Sequence, residues 1–241
     1  MSAKPGRAPG PRTPGATAPA APGRAFRGDL TWAAALFAVA AFLLVPATNR
    51  LFVAATTANP YLVAFAKFLI LATMGELLAI RIVTGAWSRP KGLAPRALVW
   101  GILGVAIVLV FEIFGSGVKG AMARGLLPGG DSRFLFAFFV SATMNTTFAP
   151  TMMLAHRFSD TLIDIASEKP GKRIGLAEII SRIDWNGFVG FVLFRTIPLF
   201  WIPAHTLTFL LPPEYRVLAA AFLSIALGAI LAFAKAHRKT R

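Results

Sequence analysis

A few ionisable residues lie inside apolar stretches of the chain, where charge is costly. They are Lys67, Glu76, Glu112 and Arg195. An ionisable side chain in the hydrocarbon region of a membrane usually pairs with another group, lines a water-filled path or serves a function. From their depth along the chain we expect Lys67 near Glu112 and Glu76 near Arg195. These pairs could fix helix register or line a path for a solute, and the sequence leaves both interpretations open.

A second concentration of polar groups lies in the fourth apolar stretch. Thr143 and Thr147 are one helical turn apart, beside Asn145 and Thr146. Pro150 cannot donate a backbone hydrogen bond to the carbonyl of Thr146, so that acceptor needs another partner. Such a broken turn can coordinate an ion or solute, although membrane helices also tolerate proline when a nearby Ser or Thr fills in. We treat these residues as candidate path-lining groups.

The remaining candidates give little support to metal or enzyme chemistry. His205 is a lone titratable group among prolines, and such a histidine is more often hydrogen-bonded structure than a ligand. The histidines lack metal-ligand spacing, and no phosphate-loop, dinucleotide or nucleophile motif occurs, so we expect no metal site, no cofactor and no enzyme. The strongest candidate for an enzyme site is the pair Asp160 and Asp164, whose carboxylates could bind Mg²⁺ on a phosphorylated lipid. A solvated helix face is the preferred interpretation of this pair.

The composition of the chain is typical of a membrane protein. The chain has 241 residues, of which 56% are hydrophobic and 15% charged, and its mean hydropathy is +0.66. Soluble proteins contain about 25% charged residues. Apolar stretches at about 30–45, 60–83, 97–114, 134–155, 188–211 and 215–234 are long enough to cross a membrane. The sequence therefore predicts an all-α integral membrane bundle over 29–241, with about six transmembrane helices.

The charge distribution predicts the orientation of this bundle. The formal net charge is +15, which is also compatible with nucleic-acid binding. Basic residues, however, concentrate in alternate polar segments near span ends, for example Arg81, Arg89, Lys91 and Arg96. By the positive-inside rule these segments are cytoplasmic. We expect a protein of the cell inner membrane, with both termini cytoplasmic, in contact with the lipid bilayer and without a nucleic-acid partner.

Two segments outside the spans carry predictions of their own. Residues 1–28 are rich in Pro, Gly and Ala, basic and without acids, which predicts a disordered tail. An organellar targeting peptide, or the start of a cleaved signal whose apolar part begins at Leu30, are the alternatives. At about 172–184, isoleucines at near-helical spacing among charges predict a short helix on the membrane interface.

Small residues recur at every fourth position of the last span. A stripe of this kind allows another helix backbone to approach closely. Packing inside one bundle is the preferred interpretation, and a homo-oligomer face is the alternative. The residues are Ala220, Ser224, Gly228 and Ala232.

Parts of the chain resemble a known family of small membrane proteins. Residues 144–150 are similar to the Asp-Gln-x-x-x-Ala-Pro motif of the Mpv-seventeen and twenty-two-kilodalton peroxisomal membrane protein family, with Met144 and Asn145 in the first two positions. Residues 185–216 resemble a second pattern of the family, in which a Trp precedes a span and the motif Trp-Pro-x-x-Gln-x-x-Asn-Phe follows it. Pro203 stands at the proline position of this motif.

The resemblance extends over about 60–238, with differences from the family pattern. Gly75-Glu76 stands where the family has Gly-Asp, and the Gly-Pro-x-x-His-x-Trp-Tyr motif is missing from 97–114. Family members are multispan proteins of mitochondrial inner and peroxisomal membranes with bacterial relatives, some proposed to form weakly selective pores. The resemblance therefore implies a channel-like role, and the features of this chain suggest a bacterial-type relative.

These observations lead to one functional hypothesis with an alternative. We expect a channel or transporter-like protein for small solutes or ions, and the resemblance implies weak selectivity. A gradient-driven mechanism needs no nucleotide motif, which agrees with the absence of such a motif from the sequence. The alternative is a non-transporting membrane scaffold or lipid-interacting protein, in which the intramembrane charges only pair with each other.

Overall fold

The computed structural model describes residues 22–238 as a set of packed helices, and no strand occurs within them. The structure thus confirms the predicted all-α class. In chain order the helices are α1 (Pro22–Leu44), α2 (Pro46–Ala58), α3 (Pro60–Thr84), α4 (Leu93–Ala123), α5 (Arg133–Thr147), α6 (Ala149–Glu168), α7 (Leu176–Arg182), α8 (Gly187–Trp201), α9 (Ile202–Leu210) and α10 (Pro213–Arg238).

Five helical stretches are long and apolar enough to cross a membrane. This agrees with an integral membrane bundle, since a hydrocarbon core needs about 20 apolar residues in a helix. The fourth of the expected spans, at 134–155, is not among them. The five are Phe26–Leu44, Pro60–Thr84, Leu93–Ala123, Gly187–Leu210 and Pro213–Ile230.

The expected fourth span is instead divided between two helices. The backbone N–H of Phe148 donates to the carbonyl of Met144 at 2.8 Å, which closes α5, and α6 begins directly afterwards with Pro150 in its first turn. Proline is tolerated there because the first N–H groups of a helix have no partner within the helix. The stretch expected at 134–155 is therefore two consecutive helices, and they are divided next to Pro150, where the sequence predicts a broken turn.

The stretch around 188–211 also consists of two helices with different hydrogen bonding. α8 is a π-helix, in which N–H groups bond to carbonyls five residues earlier, and it continues directly into the α-helical α9. The hydroxyl of Thr196 follows the same spacing and donates to the carbonyl of Phe191 at 3.1 Å. Long π-helical stretches are rare, and π-bulges are frequently found at functional sites. This change of pitch alters which residues face the interior.

Helix α3 lies at the centre and packs closely against α4 and α10. A Cβ atom on Gly104 would lie 2.8 Å from the carbonyl oxygen of Ala64 and from Cβ of Phe68. Farther along α3, a Cβ on Gly75 would lie 3.0 Å from Cα of Ile225. Only glycine permits these backbones to approach so closely, which fixes α4 and α10 closely against α3.

The small-residue stripe of the last span takes part in this packing. A Cβ on Gly228 would lie 3.3 Å from the carbonyl oxygen of Gly75, and Ala220 is buried. Ser224 lies on the same inward side, and Ala232 lies outside the residues whose side chains are described. The described part of the stripe therefore packs against α3 of the same chain, in agreement with the preferred interpretation. A homo-oligomer that forms through this stripe stays a prediction.

Helix α1 is held against α3 by polar contacts that the sequence did not suggest. The carboxylate of Asp29 accepts two hydrogen bonds from Arg81, each 2.8 Å, and a third from the indole of Trp87 at 2.8 Å. The indole of Trp32 donates to the carbonyl of Met74 at 3.1 Å. These contacts join the first span to the rest of the bundle.

The boundaries outside the spans differ slightly from expectation. The helix that was expected to begin at residue 29 begins at Pro22, so the end of the predicted tail is helical, and residues 1–21 lie outside the described part of the chain. The short helix expected over 172–184 is found as α7, where Ile179 packs with Ile165. Its Glu178 bonds to Lys169, and this ammonium group holds the pKa of Glu178 below its ordinary value.

Candidate functional site

One of two cavities in the bundle, here called the main cavity, is lined by residues of α3, α4, α5, α6, α8, α9 and α10. It has a volume of about 350 Å³, within the range of small-molecule sites. Along α3 its lining runs from Phe68 to Ala79, about 16 Å at 1.5 Å per residue. The walls are mainly apolar side chains, and titratable groups are found at two levels. Glu76, His156 and Asp160 lie at the end near the loop 85–92, and His205 lies deeper.

A four-residue ion cluster, here called the Arg96 cluster, borders the mouth of this cavity. The guanidinium Nη1 of Arg96 lies 2.8 Å from Oδ1 of Asp160 and 3.6 Å from Oε1 of Glu76. Its Nη2 lies 2.6 Å from Oδ1 of Asp164. The Arg96 side chain is only 11% exposed, so α3, α4 and α6 are joined by a largely buried cation. Three carboxyl groups face one guanidinium, so acidic groups outnumber basic groups in the cluster.

His156 extends this cluster along α6. Its Nδ1 lies 3.5 Å from Oδ2 of Asp160, beyond good hydrogen-bonding distance. The imidazole meets the ring of Trp100 edge-on, with centroids 4.2 Å apart. The mouth of the main cavity is thus lined by carboxylates and aromatic rings on neighbouring helices.

Deeper in the cavity, Asn145 of α5 and His205 of α9 form a buried polar pair. The amide nitrogen of Asn145 lies 3.0 Å from Nδ1 of His205, and it also donates to the carbonyl of Ser141 at 2.8 Å. The amide oxygen of Asn145 lies 3.2 Å from the same Nδ1, so the amide engages Nδ1 in either tautomer of the imidazole. Among the described residues nothing hydrogen-bonds to Nε2, which leaves this nitrogen free on a side chain that lines the cavity.

An aromatic wall separates the main cavity from a second one. Phe111 of α4 lines both cavities and is buried. Its ring centroid lies 4.8 Å from that of Phe209 and 5.8 Å from that of His205. The second cavity has a volume of about 780 Å³ and opens at the other end of the bundle, beside the loop 124–132. The charged residues that line it are Glu112, Lys119, Asp131, Arg133 and Arg216.

The expected pairing of Lys67 with Glu112 is not present. Lys67 is buried, and its ammonium lies 5.0 Å from the ring centroid of Phe52, with no hydrogen bond to any described residue. The carboxylate of Glu112 accepts a hydrogen bond from Ser116 one turn later, at 2.8 Å. The two residues were assigned to one depth from the sequence, but no ion pair or hydrogen bond joins them in the described chain.

The expected pairing of Glu76 with Arg195 is also not present. Glu76 contacts Arg96 instead, and no ion pair of Arg195 is found within the described chain. Arg195 is exposed, next to Phe194, which is 73% exposed on the same side of α8. The structure thus places Glu76 at the main cavity and Arg195 on the outer surface of the bundle.

The threonine stripe lies away from both cavities. The hydroxyls of Thr143, Thr146 and Thr147 donate to carbonyls of their own helix, at 2.6, 2.8 and 2.6 Å. Thr146 and Thr147 are exposed, and Pro150 is half-buried outside the cavity lining. Asn145 is the member of this predicted cluster that reaches the main cavity, because it lies on the opposite face of α5.

Sequence reasoning misjudged the residues that organise the mouth. Arg96 was assigned to a cytoplasmic loop, and Asp160 and Asp164 to a solvated face or a magnesium site, whereas all three are joined in the Arg96 cluster. Asp160 and Asp164 are one helical turn apart, and this spacing could have indicated that both carboxylates bind one arginine. Among the described residues no group of three or more His, Cys, Asp and Glu side chains is arranged to hold a metal ion.

Comparison with known proteins gives no relative for this chain. No family model matches it, and neither a curated protein nor a solved structure does. The resemblance to the Mpv-seventeen family therefore stays a prediction from the sequence.

Proposed function

We propose that the chain is a channel or transporter-like protein for small solutes or ions, with weak selectivity. The observation that carries the proposal is the pair of cavities at opposite ends of one bundle with Phe111 as their common wall. A solute would enter the main cavity past Glu76 and Asp160, cross at Phe111 and leave through the second cavity. In its present conformation the aromatic wall closes this path, as hydrophobic constrictions do in gated channels.

The proposed orientation follows from the basic loops. The loop 85–92 and the segments beside α7 are rich in Lys and Arg, which favours the cytoplasmic side. The main cavity would then open toward the cytoplasm and the second cavity away from it. In this proposal both termini lie in the cytoplasm and the membrane is the cell inner membrane.

Phe111 is the residue on which to test the proposal. Purified protein would be reconstituted in liposomes, and the release of ions and small dyes would be compared for wild type, Phe111→Ala and Phe52→Ala. Phe52 is a matched control, because it is equally buried but lines neither cavity. We expect passage to rise severalfold in Phe111→Ala, since removing the ring joins the two cavities, and to stay at the wild-type level in Phe52→Ala.

Two results would contradict this proposal. One is passage through folded Phe111→Ala that does not exceed that of empty liposomes. The other is an equal rise in both variants, which would report general loosening of the bundle. The substitution Glu76→Gln adds a test of the entrance, because removing a carboxylate from the mouth should reduce the preference for cations over anions.

One observation favours the alternative of a non-transporting, lipid-interacting protein. Apart from a few polar groups, the walls of the main cavity are apolar, which suits a hydrocarbon chain at least as well as a hydrated ion. This alternative predicts no passage through any variant, together with a lipid that co-purifies with wild type.

A further inference from the structure

We infer that the main cavity binds a hydrophobic organic cation, with its amino group at Glu76 and Asp160 and its apolar body along the cavity. The inference names a solute class for the proposed path and rests on that proposal. Binding at this site can nevertheless be measured without any passage across the membrane.

The sign of the charge at the mouth favours a cation. Glu76 and Asp160 line the cavity, whereas their common partner Arg96 does not. Nη1 of Arg96 lies between them, 2.8 Å from Asp160 and 3.6 Å from Glu76, and its other nitrogen is engaged by Asp164. A ligand cation would offset part of the excess of acidic groups in this cluster. An anionic head group would meet the two lining carboxylates and no free basic group.

The carboxylates are solvated enough to accept an amino group. The side chains of Glu76 and Asp160 are 24% and 22% exposed, so a cation beside them keeps part of its hydration. Full burial of an ion would carry a much larger desolvation cost. The ring of Trp100 also lines the mouth, and aromatic faces stabilise ammonium groups.

The walls favour an apolar body over a small hydrated ion. Between the mouth and Phe111 the lining is supplied by side chains such as Ala72, Leu103, Ile107 and Met152. Such walls offer no hydrogen bonds to replace a hydration shell, but they gain from removing apolar surface from water. A ligand with one charged end and a hydrocarbon body matches both parts of the cavity.

The deep end offers two ring nitrogens without a hydrogen-bond partner among the described residues. They are Nε2 of His205, whose Nδ1 is engaged by Asn145, and the buried indole nitrogen of Trp201, and both rings line the cavity. A buried donor without a partner is unfavourable, so a ligand with an ether, hydroxyl or carbonyl oxygen near its apolar end would gain further affinity from the N–H of Trp201.

Three probes with the same body separate the contribution of charge from that of apolar burial. They are phenylbutylamine, phenylbutanol and phenylpentanoate, which carry a positive, a neutral and a negative end. Binding to the full chain in lipid nanodiscs would be measured by calorimetry, with empty nanodiscs subtracted. We expect the amine to bind about tenfold more tightly than the alcohol, as for one partly solvated charge pair, and the carboxylate to bind most weakly.

Substitutions test whether the preference for the amine arises at Glu76 and Asp160. Glu76→Gln and Asp160→Asn should each weaken amine binding by about tenfold and leave alcohol binding unchanged. Glu168→Gln is the matched control, because Glu168 lies at the same end, outside the cavity lining, where it pairs with Arg182. Ser224→Leu should abolish binding of all probes, because Ser224 lines the cavity and its hydroxyl bonds only to the backbone of its own helix.

The outcomes distinguish this inference from the proposed function. Equal binding of all three probes, or amine binding that persists in Ser224→Leu, would overturn the cation site. Passage through Phe111→Ala without amine binding to wild type would overturn the site and leave the path intact. Amine binding that depends on Glu76, without any passage, would support the site and count against transport.

Discussion

The two cavities differ in how the protein holds their charges. At the main cavity, Arg96 is largely buried and contacts three carboxylates on two other helices. At the second cavity no ion pair joins the charged lining residues of the described chain. Arg216 lies over the ring of Phe209, 5.5 Å from its centroid, and donates to the carbonyl of Leu211 at 3.0 Å.

The main cavity therefore has charged groups held in a fixed geometry, whereas the charged groups at the second cavity are not held by one another. Charges fixed in a partly buried cluster keep their geometry and lose little to screening, whereas exposed charges are screened by water and salt. Any discrimination between solutes should therefore arise at Glu76 and Asp160 more than at Glu112 or Arg216. The same contrast predicts how each end responds to mutation.

The largest effect is expected from removing the central cation. Arg96→Gln should lower the free energy of unfolding by about 3–5 kcal/mol, because it leaves three carboxylates without a partner. Arg216→Gln at the second cavity should cost about 1 kcal/mol or less. Thermal unfolding in a mild detergent measures both. The double variant Arg96→Gln with Asp160→Asn should recover part of the loss, and equal effects at Arg96 and Arg216 would remove the contrast between the two ends.

An intermediate effect is expected within α4, which borders both cavities. Gly104→Ala should destabilise by about 1–3 kcal/mol, because the new Cβ would press on the backbone of Ala64 and on Phe68. Gly117→Ala, nearer the second cavity, has nothing within 4 Å and should be neutral or stabilise by up to about 1 kcal/mol. Both variants are glycine-to-alanine substitutions in the same helix. If both variants unfold at the same temperature, close packing does not distinguish the two halves of the helix.

The smallest effect is expected at the surface pair of Glu178 and Lys169. The ammonium group lowers the pKa of Glu178, so the pair stabilises the folded state above the ordinary pKa of a glutamate. That contribution is lost as the pH falls through the folded-state pKa. Glu178→Gln should therefore unfold at a slightly lower temperature than wild type at neutral pH, and the difference should shrink as the pH falls below the ordinary pKa of a glutamate. A difference that grows on acidification would contradict this assignment.

Individual site residues could be predicted from the sequence, but their partners could not. Glu76, Asn145 and His205 stood out because polar groups are rare in apolar stretches, and all three line the main cavity. Depth follows from the rise of 1.5 Å per residue, so Glu76 and Arg195 were assigned to one level. Which face a residue occupies depends on helix packing, and the π-helical α8 places Arg195 on the outer surface.

The sequence by itself determined five of the six expected spans, because an apolar run that matches the thickness of a bilayer satisfies its backbone hydrogen bonds by forming a helix. The break near Pro150 was likewise encoded locally, in a residue without an N–H group. Tertiary structure decided that Arg96 joins Asp160 and that Phe111 closes the cavity. These contacts depend on which helices become neighbours and how closely glycines such as Gly104 let them approach, which no local pattern specifies.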